Sequence, residues 1–148
     1  MDIDQALPDA AFDLDAEADT WQDALRLAGA ALSAAGFTTP AYAEEMIKTV
    51  EELGPYIVIA PGIALGHSRP SPAVLSTGMS LVRLKEPVPF GHPKNDPVWL
   101  VIGLAATDEN SHIDVMAALA SALGRPDSLQ LLREAKTPEE IRTVLRTS

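Results

Sequence analysis

Ile57-Val58-Ile59-Ala60-Pro61-Gly62-Ile63-Ala64-Leu65-Gly66-His67-Ser68-Arg69-Pro70 is the stretch around which the rest of the chain is organised. Two short apolar runs flank a Pro61-Gly62 turn, and the second run stops at a histidine. Runs this short, rich in Ile and Val and bounded by Gly and Pro, read as buried strands. Gly66 before His67 and Pro70 after it mark an irregular turn at a strand end, where a rigid sheet can present a reactive side chain. The chain holds three histidines and no cysteine, so a histidine in that position is a candidate for chemistry.

Outward from this stretch, both flanks carry helix signals. Thr20 and Asp23 form a capping-box pattern, followed by an apolar stripe of Trp21, Leu25, Ala28, Leu32 and Ala35 that Gly36 ends. Thr39-Pro40 is expected to open a second helix, with Tyr42, Met46, Val50 and Leu53 buried and Gly54-Pro55 as the stop. Downstream, Gly78 to Lys85 alternates as a strand, and Val98 to Ala106 is an unbroken apolar run suited to a central strand. Ser111 and Asp114 read as the cap of a helix with Ile113, Met116, Ala117, Ala120 and Leu123 facing inward. That places His112 in the first turn. A short helix through Ala135 and a last one beginning at Thr137-Pro138-Glu139-Glu140 complete the order. The expected fold is a single-domain α/β sandwich, a mixed sheet of about five strands with helices on both faces. Residues 1–19, crowded with Asp, are expected to form an acidic flexible arm that touches the body through Phe12 and Leu14. Residues 20–148 are expected to form the domain.

Composition narrows the function classes. A chain of 148 residues with 47% hydrophobic residues can bury a real core. No apolar run reaches the length of a membrane span, and the acidic start lacks the features of a signal peptide. No membrane insertion and a cytoplasmic location are therefore expected. The net charge of −10 argues against nucleic acid and permits a basic protein partner. There is no phosphate-binding GxxxxGK[ST] loop and no G-x-S-x-G elbow. His67, His112, Asp108 and Glu109 are legitimate zinc ligands, but no close-spaced histidine pair supports a metal site, so neither metal nor cofactor is expected. His92, between Gly91 and Pro93, reads as a structural turn residue.

His67 after one strand and His112 after the central strand could meet at one sheet edge. A neutral imidazole is a good nucleophile toward phosphorus near neutral pH, and a labile P–N bond suits a relay. The transferred oxygens then need donors from backbone N–H groups, a helix start or a neighbouring His or Arg.

On these residues the chain becomes recognisable. Pro61 to Pro70 resembles the G-I-A-x-P-H-A-R-P signature of type-2 EIIA domains of the phosphoenolpyruvate-dependent sugar phosphotransferase system, the mannitol/fructose class. The resemblance continues through Leu84 to Gly91, Asn95 to Val98, Leu104 to His112 and Ala135 to Ile141. It implies a phosphotransferase component whose His67 takes a phosphoryl group from phospho-HPr and passes it to an EIIB domain, with a membrane EIIC served indirectly. His112 would support the phosphoryl group, and Ser68, Arg69, Ser111 and Lys48 are candidates to bind it. The stretch from Thr49 to Pro61 looks most like the ascorbate branch. Two departures stand out. Gly66-His67-Ser68 replaces the usual Pro-His-Ala, which is expected to free the backbone before His67. Lys48-Thr49 stands where the mannitol branch carries an arginine. The alternative these leave is a regulatory relative whose His67 phosphorylation controls a protein partner. A docking face for both partners is expected around His67 from Pro61, Ile63, Leu65, Pro70 and Val74.

Overall fold

The structure, a computed structural model, describes residues 2–146. Among the described residues five strands form one mixed sheet: β1 (Phe12–Ala16), β2 (Val58–Ala60), β3 (Ile63–Gly66), β4 (Gly78–Val88) and β5 (Val98–Ala105), in the order β1-β4-β5-β3-β2. β1 runs parallel to β4 and β3 parallel to β5, while the β4–β5 and β2–β3 pairs are antiparallel. Pro61-Gly62 makes the β2–β3 turn, with Gly62 at φ 79°. A side chain at Gly62 would strike the Trp99 indole, so the close approach also requires glycine.

The hydrophobic pattern explains the layers. β5 is buried along its whole length, as an unbroken Val/Leu/Ile run in a central strand must be. On one face lie α2 (Trp21–Ala34) and α3 (Tyr42–Leu53), packing Leu25, Ala28, Leu32, Met46 and Val50 onto Val82 and Val101. On the other face lie α1 (Ile3–Ala6), a 3-10 turn at Asp9–Ala11, α4 (Glu109–Leu123), α5 (Ser128–Glu134) and α6 (Pro138–Arg146). They cover Leu81, Leu100, Ile102 and Leu104. The Thr20 cap forms as expected, its hydroxyl accepting the Asp23 N–H at 3.2 Å. Thr137 caps α6 in the same way.

Four local expectations are corrected. The acidic arm is not an arm in this structure. Leu7 and Ala11 are buried, Arg142 pairs with Asp9 at 2.6 Å, and residues 12–16 form an edge strand on β4. Charge density hid the strand because the apolar residues among the aspartates do the packing, while Asp on an edge strand deters further pairing. α3 begins at Tyr42, and Thr39-Pro40 belongs to the turn before it; Leu53, expected in the core, is 67% exposed. α4 begins three residues earlier than expected, because the Asp108 carboxylate caps it by accepting the Ser111 N–H at 2.7 Å. Its fully buried residues are Val115, Leu119 and Ala122; the expected Met116 and Leu123 pack beside them, whereas Ile113 is 61% exposed. Gly66, finally, is a regular β3 residue opposite Gly103 without positive φ. Glycine gives room there rather than backbone freedom, since a Cβ would lie 2.8 Å from the Leu25 side chain and make it shift.

Candidate functional site

The parallel β3–β5 ladder ends at the Gly66–Gly103 pair. Just beyond it, the Tyr42 hydroxyl accepts the Ser68 N–H at 2.9 Å and donates to the Leu104 carbonyl at 2.9 Å. Two bonds through one oxygen thus stand where a direct strand-to-strand bond would close the ladder. The phenol acts as a wedge that parts the strand ends where the chain leaves the sheet at His67. Burial pushes the Tyr42 phenol up to about 12, so it keeps the proton this bridge needs.

His67 sits at that opening. Its Nδ1 lies 2.8 Å from the Leu65 carbonyl, which can only accept, so Nδ1 carries the proton and Nε2 keeps its lone pair. The ring stands edge-on to Tyr56, with centroids 5.5 Å apart at 88°, and faces His112 at 5.2 Å and 50°. Burial lowers the His67 pKa below the ordinary imidazole value; the Leu65 hydrogen bond opposes this, and repulsion from His112 adds to it. The result is a neutral, oriented imidazole in a cleft of about 240 Å³, lined by Thr49, Leu53, Tyr56, His67, Ser68, Arg69, Pro70, Glu109 and His112. Among the described residues, no group of three or more His, Asp or Glu side chains is placed to hold a metal ion.

The expected phosphate-binding residues divide. Ser68 and Arg69 line the cleft, and no carboxylate pairs with Arg69 among the described residues. Ser68 is already committed in part. Its N–H goes to Tyr42. Because Thr49 donates to the Glu45 carbonyl, the 3.0 Å Ser68–Thr49 contact uses the Ser68 hydroxyl proton. Lys48 is not brought to the cleft; it is exposed and lies 4.0 Å from Glu52 one turn along α3. Ser111 is turned into the Asp108 cap, so the α4 amino terminus is filled by the chain's own carboxylate rather than left for a ligand. His112 contributes its ring from the second turn, its N–H bonded to the Asp108 carbonyl. His92 is structural: its Nδ1 accepts the N–H groups of Lys94 and Asn95. Sequence reasoning missed Tyr42 as more than core, missed Tyr56 and Leu53 as cleft residues, and read Glu109 only as a possible zinc ligand. The signal for Tyr42 was a phenol on a helix face otherwise apolar, since a buried hydroxyl must find a partner.

The docking face also differs from expectation. Ile63 and Leu65 are buried in β3, and of the five expected residues only Pro70 lines the cleft. The exposed apolar residues there are Leu53 and Tyr56, with Ile113 next to His112 on α4.

A mixed five-stranded sandwich with one clamped imidazole facing a second places the chain among the phosphocarrier domains of sugar phosphotransfer. The family model for the phosphoenolpyruvate-dependent sugar phosphotransferase system, EIIA 2, matches residues 6–148, and the chain belongs to that family. It is similar to the ascorbate-specific EIIA component of Escherichia coli K12, with 41% identity over 129 residues, covering 86% of this chain and 84% of the relative. Its fold is similar to that of a putative PTS IIA (PtxA) from Streptococcus mutans, with TM-score 0.87, 32% identity, and coverage of 98% and 93%. It is also similar to Escherichia coli enzyme IIA-mannitol, solved in complex with phosphorylated enzyme IIB-mannitol, with TM-score 0.79, 30% identity, and coverage of 92% and 94%.

Proposed function

We propose that this chain accepts a phosphoryl group on His67 Nε2 from phospho-HPr and passes it to an EIIB domain serving a membrane EIIC for ascorbate or a related sugar. The observation that carries the reading is the Leu65 carbonyl clamp on Nδ1, which leaves Nε2 as the one ring nitrogen with a free lone pair. The Nε2 lone pair attacks phosphorus in line, a P–N bond forms, and the bond to the donor breaks with its electrons leaving on the donor. Transfer onward reverses the roles. Charge on the three phosphoryl oxygens is met by the His112 ring and by Arg69, while the Leu65 carbonyl steadies the Nδ1 proton as the ring becomes cationic. Leu53, Tyr56 and Ile113 form the apolar rim against which either partner would seat. The 41% identity to the ascorbate-specific component supports the sugar, and the IIA–IIB complex supports the acceptor. A cytoplasmic location follows from these partners; among the described residues no helix is long and apolar enough to cross a membrane.

The test is reconstitution with Enzyme I, HPr and phosphoenolpyruvate. The wild-type chain should take up acid-labile phosphate and His67→Ala none. His112→Ala should accept phosphate but deliver it poorly to the ascorbate EIIB. Label retained by His67→Ala would sink the assignment.

A further inference from the structure

A second cleft, of about 460 Å³, opens at the other end of the same strands, where β3 and β5 begin. Its lining includes Gly62, Arg83, Lys85, Lys94, Trp99 and Arg133. Ile63 lies four residues before His67, so the two sites are separated by about 13 Å of extended chain. The chain is strongly acidic, yet four of its cations converge here. None of Arg83, Lys85, Lys94 and Arg133 forms an ion pair with a carboxylate among the described residues, although Asp and Glu outnumber Lys and Arg by 21 to 11. Two acids also line the cleft, Asp15 and Asp96. The Asp96 charge is already spent on the backbone N–H groups of Phe90, Gly91 and His92, at 2.8 to 3.1 Å. Asp15 lies exposed on the edge strand β1.

The cations are also held in place. The Arg83 Nε and one terminal nitrogen bond the carbonyls of Leu14, Leu132, Arg133 and Ala135, which fixes the guanidinium at the end of α5. The Arg133 guanidinium lies over the Trp99 ring at 4.1 Å. Lys94 sits in a loop pinned by the His92 ring, and the adjacent Asn95 carbonyl accepts the Gly62 N–H at 2.9 Å. Four cations against two carboxylates leave the cleft with an excess of positive charge, whose self-repulsion a bound anion would relieve.

We propose that this cleft is a binding site for a small multiply charged anion, an organophosphate or polycarboxylate, distinct from the His67 site and independent of its role. The volume falls in the range of roughly 300–1,000 Å³ usual for small-molecule sites. Arg133 and the remaining terminal nitrogen of Arg83 would supply the donors of the floor, and Lys85 and Lys94 would close over the charge from the rim.

The test uses the full chain, with inorganic pyrophosphate and citrate as probes at constant ionic strength, by calorimetry and by Trp99 fluorescence in a Trp21→Phe background. One-to-one binding that perturbs Trp99 and weakens with salt is expected. Pyrophosphate alone would name phosphate as the recognised group, citrate alone carboxylate, and both the shared anion chemistry. The double variant Lys85→Ala/Lys94→Ala, its fold checked by circular dichroism, should weaken binding roughly tenfold or more. Arg69→Ala and His67→Ala should leave it unchanged. Absence of saturable binding by both probes, binding that survives the double variant, or binding lost with Arg69→Ala would each overturn the proposal.

Discussion

Replacing Tyr42 with phenylalanine removes one oxygen and both hydrogen bonds that span the parted strands, to Ser68 N–H and to the Leu104 carbonyl. The phenyl ring keeps its place among Leu25, Met46 and Val50, so the core loses no hydrocarbon. What it loses is satisfaction of a carbonyl on a fully buried residue and of a half-buried N–H. Leaving such groups unpaired costs about 1–3 kcal/mol, with the upper part of the range moderated because water can reach Ser68. Taking about 2 kcal/mol, a domain of this size should melt roughly 4–8 °C lower. The larger consequence is at His67, whose next residue is no longer tethered. A displacement on the order of 1 Å of the nucleophilic nitrogen can cost about a hundredfold in rate, so phosphoryl uptake at saturating phospho-HPr should fall roughly ten- to a hundredfold. The half-saturating donor concentration should move little, because Leu53, Tyr56 and Ile113 remain in place. Stopped-flow or rapid-quench transfer against donor concentration separates the two, and thermal melting gives the stability. A Tyr42→Phe protein that melts within a degree of wild type and takes up phosphate at the wild-type rate would refute the wedge. A loss confined to donor affinity would show that Tyr42 shapes the docking face instead.

Three further outcomes follow from the same geometry. His67 should titrate below the ordinary imidazole pKa of about 6.5, so phosphate uptake should hold its rate on acidification past the point where a free imidazole is half protonated. The unfolded chain binds the proton more readily, so this group's contribution to stability is present above pH 6.5 and lost as pH falls below it; an NMR titration midpoint at or above 6.5 would contradict this. Gly66→Ala pushes a methyl to 2.8 Å from buried Leu25 and should cost about 1–3 kcal/mol in urea denaturation while slowing transfer, and unchanged stability would mean that the strand shifts freely. Arg142→Met removes the bonds to Asp9 and the Leu7 carbonyl and should speed amide exchange across residues 3–11 well before the β4 and β5 core exchanges; uniform exchange would show that the segment does not depend on this clasp.

Much of this protein was legible from local chemistry. The Ile57–Pro70 hairpin, the Thr20 and Thr137 caps and the unbroken Val98–Ala105 run each declare their structure through neighbouring residues. The mixed sheet with helices on both faces, and the end-of-strand position of His67, follow from their order. Other features depended on which partner a residue meets across the fold. The Asp-rich start reads as solvated charge until Arg142, at the far end of the chain, supplies the counter-charge and β4 supplies the ladder. Whether Asp108 or Ser111 caps α4 turns on a choice between two good caps three residues apart. Which face of that helix packs inward is likewise set by the sheet beneath it, leaving Ile113 exposed beside the site and Val115 buried. The Tyr42 wedge joins residues 26 and 62 positions away, and the four cations of the second cleft come from one strand, a loop and a helix. Periodicity records which face of an element is apolar. The identity of the group opposite a buried hydroxyl or an unpaired cation arises only when the layers close.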